Sequence, residues 1–137
     1  MKTIILTYFV FLLIGTVLTS CESNKINPQI NPVTDMSFNG TFRTSNSDNV
    51  TGTVTLEISK GYYKSSTNLP FGVGAGKLNV NGSTINFIDT LFFPIPALYG
   101  PSYVLSGQHQ YDFDGENLKI WRTKNVGEIE YNLKVKK

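Results

Sequence analysis

Two long stretches of this chain alternate apolar and polar residues with a period of two. In residues 50–59, Val50, Gly52, Val54, Leu56 and Ile58 fall on one side, and Thr51, Thr53, Thr55, Glu57 and Ser59 on the other. In residues 127–137, Ile129, Tyr131, Leu133 and Val135 oppose Glu128, Glu130, Asn132, Lys134 and Lys136. A helix repeats every 3.6 residues and cannot keep such a pattern on one face. A strand can, with one face in a core and the other in water. β-Branched and aromatic residues dominate these stretches, as strands prefer. No segment carries a helical period, so the chain is expected to be all-β.

The turn residues divide the pattern into hairpins. Asn81-Gly82 separates "KLNV" from "STINF", and Asp114-Gly115 separates "HQYDF" from "ENLKIW". Both dipeptides favour the left-handed dihedrals of a tight hairpin turn. Lys60-Gly61 and Val126-Gly127 are expected to turn the chain too. Strands are predicted at 38–43, 50–59, 61–66, 73–80, 83–89, 103–114, 116–123 and 127–136. Short links make neighbours in sequence pair in space, so the eight strands form an antiparallel meander. Such a sheet loses its two free edges by closing into a barrel. A β-sandwich is the alternative.

"FNGTFR" (residues 38–43) resembles the Gly-x-Trp opening of lipocalins, with Phe42 in the place of Trp. Arg122 in "LKIWR" resembles the late arginine that packs across that aromatic in the family. The resemblance implies a lipocalin-like barrel over residues 37–137 and, with it, a binding role for an apolar molecule.

Residues 1–20 have the layout of a secretory signal. Lys2 gives a positive start, Ile4–Leu18 is almost wholly apolar, and Thr19-Ser20 are small. The apolar run is shorter than the ~20 residues of a spanning helix. Leu18-Thr19-Ser20-Cys21 resembles the lipobox of bacterial lipoproteins. The resemblance implies cleavage before Cys21 and lipidation of its sulfur and its new amine. It also accounts for the chain's single cysteine, which is otherwise an odd thiol in an exported protein. Several acyl chains hold a protein at a membrane where one holds it only marginally. Residues 21–36, with two Asn-Pro pairs and few large apolar groups, are expected to be a flexible tether. The expected location is the cell envelope, at the outer membrane, with the periplasmic and surface faces both open.

Composition narrows the chemistry. With 12 basic and 10 acidic residues, the chain has no basic stripe for nucleic acid. One histidine and one cysteine leave no multi-histidine or cysteine zinc site. "FGVGAGKL" (71–78) lacks the spacing of a phosphate loop and has no helix behind it. "DFDGE" (112–116) fits a hairpin turn better than a calcium loop, and no nucleophile elbow is present. No cofactor, metal or enzymatic activity is expected.

Two features point toward binding. Gly40, Gly52, Gly72, Gly74, Gly76 and Gly107 all share the parity of the apolar face. Glycine there either lets strands bend and rings close in, or leaves an apolar cavity. The segment "DTLFFPIPALYGPS" (89–102) is the longest connection and is strongly apolar, as functional loops are. The expected ligand-binding residues are therefore Phe92, Phe93, Leu98 and Tyr99 on the loop, with His109 and Tyr111 facing inward. The expected ligand is a lipid or other apolar small molecule. The alternative is a packed barrel that displays the loop to a protein partner, as an inhibitor or envelope scaffold. Asp89-Thr90-Leu91 also resembles a bacterial O-glycosylation motif, which implies a glycan on Thr90.

Overall fold

A computed structural model describes residues 28–45, 49–70, 72–91, 105–124 and 127–137. It has eight strands: β1 (Met36–Thr44), β2 (Thr51–Ser59), β3 (Tyr62–Thr67), β4 (Val73–Asn81), β5 (Thr84–Asp89), β6 (Gly107–Phe113), β7 (Asn117–Lys124) and β8 (Gly127–Val135). Each pairs antiparallel with the next, and β1 pairs with β8, so the sheet is a closed meander barrel and not a sandwich. The closing register runs from Phe38 opposite Val135 to Thr44 opposite Ile129. It keeps the apolar parity of both strands inside, which a slip of one residue would reverse.

The hairpin turns follow local chemistry. Ser59 pairs with Tyr62, so Lys60 and Gly61 form a two-residue turn with φ of 51° and 81°. Positive φ at both central residues is the twist-matched hairpin solution. The next hairpin turns one residue later than the sequence suggests. Asn81 still pairs with Thr84, and the turn is Gly82-Ser83, with Gly82 at φ 56°. Thr84 Oγ1 donates to the Asn81 carbonyl at 2.7 Å and helps hold Asn81 in the strand. Between β6 and β7, Asp114 accepts from the amides of Glu116 and Asn117 at 2.8 and 2.6 Å, and Gly115 takes φ 100°.

The barrel has two unlike ends. The tight turns at 60–61, 82–83 and 114–116 define the turn end. The opposite, loop end carries the connections after β1, β3, β5 and β7, the longest of them joining β5 to β6. The chain enters at the turn end, and here the tether expectation needs correction. Residues 28–35 are not a free tether but lie against the barrel: Ile30 is 2% exposed and belongs to the core. The Gly61 amide donates to the Pro32 carbonyl at 2.8 Å, and Ser59 Oγ donates to Asp35 at 2.6 Å. One buried apolar side chain, with a backbone hydrogen bond at Pro32 and a side-chain one at Asp35, is enough to seat a segment that composition marks as unstructured.

The inward residues fill the barrel from Ile30 upward. Phe38 and Phe113 meet edge to face at 6.0 Å near the turn end, and Leu56, Ile58, Ile85, Leu118 and Ile120 are essentially inaccessible. Four of the inward glycines mark close approaches, not an empty chamber. A Cβ on Gly40 would strike the Asn132 carbonyl, and one on Gly76 the Ile88 carbonyl. At Gly52 it would strike the Phe42 ring, and at Gly72 the Thr67 hydroxyl. Absence of a side chain there lets strands bend sharply and rings close in.

Candidate functional site

The interior becomes polar toward the loop end. Strand β7 sends Leu118, Ile120 and then Arg122 inward, and β8 sends Leu133, Tyr131 and Ile129. β6 contributes His109, and β3 contributes Tyr63 and Ser65. Ser65 and His109 are 3% and 2% exposed. A chain of rings crosses this level. Tyr63 lies 4.8 Å from Phe87, Phe87 lies 5.6 Å from His109, His109 lies 6.2 Å from Tyr131, and Tyr131 lies 5.9 Å from Phe42. Offset and edge-on contacts of this kind suit aromatic quadrupoles.

The backbone of residues 105–107, where β6 begins, supplies acceptors to this cluster. Tyr63 donates its hydroxyl to the Leu105 carbonyl at 2.8 Å, and Arg122 donates through Nη1 to the Ser106 carbonyl at 2.7 Å. His109 Nδ1 lies 3.0 Å from the Gly107 carbonyl, a geometry that places a proton on Nδ1. Burial raises the Tyr63 hydroxyl pKa far above the usual phenol range, and Asp89 adds to the effect. Burial does the same at Tyr131, where the Arg122 charge partly opposes it. These phenols stay protonated and act as donors at any physiological pH.

Among the described residues three buried donors lack an acceptor: Arg122 Nε and the Tyr131 hydroxyl toward the loop end, and the Tyr111 hydroxyl toward the turn end. Tyr131 is completely buried. Neither Arg122 nor Tyr131 was an expected ligand contact. Arg122 was legible as a charge on the inward parity of Leu118 and Ile120, a signal that the lipocalin resemblance masked by giving it a packing role.

The expected site residues divide. His109 lies inside, in the ring cluster, as its parity requires. Tyr111 also points inward but sits toward the turn end, where burial raises its pKa and the Ile30 backbone partly offsets this. It is core packing beside the seated N-terminal segment and does not share a level with Arg122. Phe92, Phe93, Leu98 and Tyr99 lie outside the described residues, as does Cys21. Thr90 is exposed at the end of β5, its hydroxyl donating to the Ala75 carbonyl at 3.1 Å. Asp89 beside it accepts the Leu91 amide at 2.9 Å.

The outer wall holds one group whose burial alternation does not foresee. Glu130 is on the outward parity yet is 6% exposed. Lys119, Asn132 and Arg43 cover it, at 2.8, 2.7 and 3.3 Å. The Lys119 hydrogen bond, then that of Asn132, lowers its pKa to about 2. This cluster laces β7, β8 and β1 across the seam that closes the barrel.

No family model, curated protein or solved structure matches this chain. The class is therefore defined by the fold: an eight-stranded antiparallel meander barrel, plugged at the turn end and polar within at the loop end.

Proposed function

We infer that this protein is a lipid-anchored component of a bacterial cell envelope whose barrel binds a small apolar or amphiphilic molecule at its loop end. The observation that carries the binding role is the pair of buried donors without acceptors, set against a ring-lined interior. Buried polar groups are nearly always satisfied, so two unmet donors at diagonal positions of β7 and β8 are a vacancy for a partner. They lie at the end where the longest, most apolar connection begins. Close packing below confines binding to that end. Support for the anchor is the signal layout of residues 1–20 and the lipobox resemblance at Leu18–Cys21.

The test is a titration of the labelled barrel with decanol, followed by amide chemical shifts. Shifts concentrated at residues 105–109, 120–123 and 129–131 are expected. Uniformly small shifts, or shifts centred on the turn end, would contradict the reading.

A second reading has its own observation. The space in front of the glycines that could have opened a cavity is taken by backbone at Gly40 and Gly76, by the Phe42 ring at Gly52 and by the Thr67 hydroxyl at Gly72. A barrel so packed also suits a rigid support that presents the β5–β6 connection to a protein partner. Absence of any ligand-induced shift, with a partner recovered through that connection, would favour it.

A further inference from the structure

The unmet donors have a chemical preference that follows from their kind. Arg122 carries a fixed positive charge, and among the described residues no ion pair neutralises it. Its Nη1 is held by the Ser106 carbonyl at 2.7 Å, which fixes the plane of the guanidinium and leaves the buried Nε–H unused. The Tyr131 hydroxyl is buried completely and also unused. Tyr131 lies opposite Ile120 and Arg122 opposite Ile129, so the two are diagonal neighbours on the inner face of adjacent strands, within reach of long side chains. Asp89, the acid on the inward parity of β5, is already engaged by the Leu91 and Ala75 amides at 2.9 and 3.4 Å. Among the described residues, a Cβ on Gly107 would meet nothing nearer than Arg122 Nη1, at 3.8 Å.

Two unmet donors beside an unneutralised cation call for an acceptor that bears negative charge. A neutral hydroxyl satisfies one donor and leaves the charge alone. A cationic ligand is repelled. An oxyanion accepts from both donors and offsets the charge, and hydrogen bonds to ions are roughly twice as strong as neutral ones. Resting on the loop-end binding role inferred above, we propose that the bound molecule is an amphiphile with an oxyanion head group, gripped by the Arg122 Nε–H and the Tyr131 hydroxyl. It enters head first. The rings of Phe42, Phe87 and His109 stop it there, so its apolar tail points back toward the loop end.

The experiment compares decanoate, decyl phosphate and decanol, which share one tail. The chain from residue 22 is used, because every strand and every described core residue lies beyond it. Calorimetric titration of the wild type should give an oxyanion affinity at least about tenfold above that of decanol. Arg122→Met should reduce that ratio to below about threefold, and Tyr131→Phe should lower it by a smaller factor. Whichever of decanoate and decyl phosphate binds better identifies the source of the oxyanion. Equal affinity for decanol and both anions in the wild type would overturn the head-group assignment and leave loop-end binding standing. Failure of all three to bind would overturn both. If Arg122→Met does not fold, the wild-type ratio and Tyr131→Phe decide the matter between them.

Discussion

Gly76 shows how much one hydrogen atom can matter. The position is inward-facing on β4, yet the space in front of it belongs to the Ile88 carbonyl of β5. Gly76→Ala must push a backbone oxygen aside, and backbone does not yield as a flexible side chain does. The variant is expected to lose ~1–3 kcal/mol or more, read as a lower denaturant midpoint at unchanged slope. Gly61→Ala meets nothing within 4 Å and suffers only from its φ of 81°. It should cost less, ~1 kcal/mol. Sequence reading found these glycines and their parity. It could not tell close approach from empty space, because that depends on how far neighbouring strands lean together. Glu130 was hidden for a similar reason. Its parity is outward, and only the folded arrangement lays Lys119 and Arg43 over it. An unfolded glutamate titrates near 4.5, and Glu130 is held down to about 2. Its folded pKa is the lower one, so its stabilisation is present above about pH 4.5 and is lost as pH falls toward 2. After screening at the sheet surface, the contribution is expected to be ~1 kcal/mol. Melting temperature followed from pH 6 to pH 2 should therefore fall more steeply in the wild type than in Glu130→Gln. Parallel curves would show that the cluster does not favour the carboxylate.

At the level of elements, strands were easily read and their attachments were not. All eight were legible because β-branched alternation and glycine-bearing turns agree along the chain. Most boundaries moved by one or two residues, as at Gly82-Ser83, where Thr84 caps Asn81, but β6 begins at Gly107 and not at 103 as expected. The segment at 28–35 was misread because its composition is that of a linker and its docking depends on one residue. Ile30 at 2% exposure and Val33 at 67% make a clean comparison. Ile30→Ala should cost ~2–4 kcal/mol, the usual toll of truncating a buried aliphatic, and Val33→Ala no more than ~0.5 kcal/mol. Thermal or urea unfolding of the two variants checks this. Equal small effects would show that the segment is not seated in solution. The same comparison bears on function. If the segment plugs the turn end, a ligand has only the loop end through which to enter.

The whole molecule has a direction. The chain joins the barrel at the turn end, and the seven steps from Cys21 to Pro28 reach at most about 25 Å. If Cys21 carries the anchor, the turn end lies nearer the membrane and the loop end faces away. With Cys21 lipidated, the chain has no other cysteine, so single labels are simple to place. A fluorophore at Ser83→Cys, in a turn-end hairpin, should be quenched by nitroxide lipids more than one at Thr51→Cys, at the loop end. The reverse order would require a different attachment. Cys21→Ser should abolish incorporation of a palmitate analogue, and undiminished labelling would remove the anchor from the account. The closed fold followed from strand count and short links. The candidate site did so only in part. His109 could be placed by parity, whereas the unmet donors of Arg122 and Tyr131 come together only because β7 and β8 set them as diagonal neighbours on the inner face.

The central claim is that this interior level is built for a ligand, and native mass spectrometry of the barrel from residue 22, expressed in a bacterial envelope and released without detergent, tests it most directly. The account predicts a retained adduct of lipid size on the wild type that is lost or strongly reduced in Arg122→Met. A bare wild-type mass under conditions that preserve the fold, with no adduct regained on adding decanoate or decanol, would contradict it.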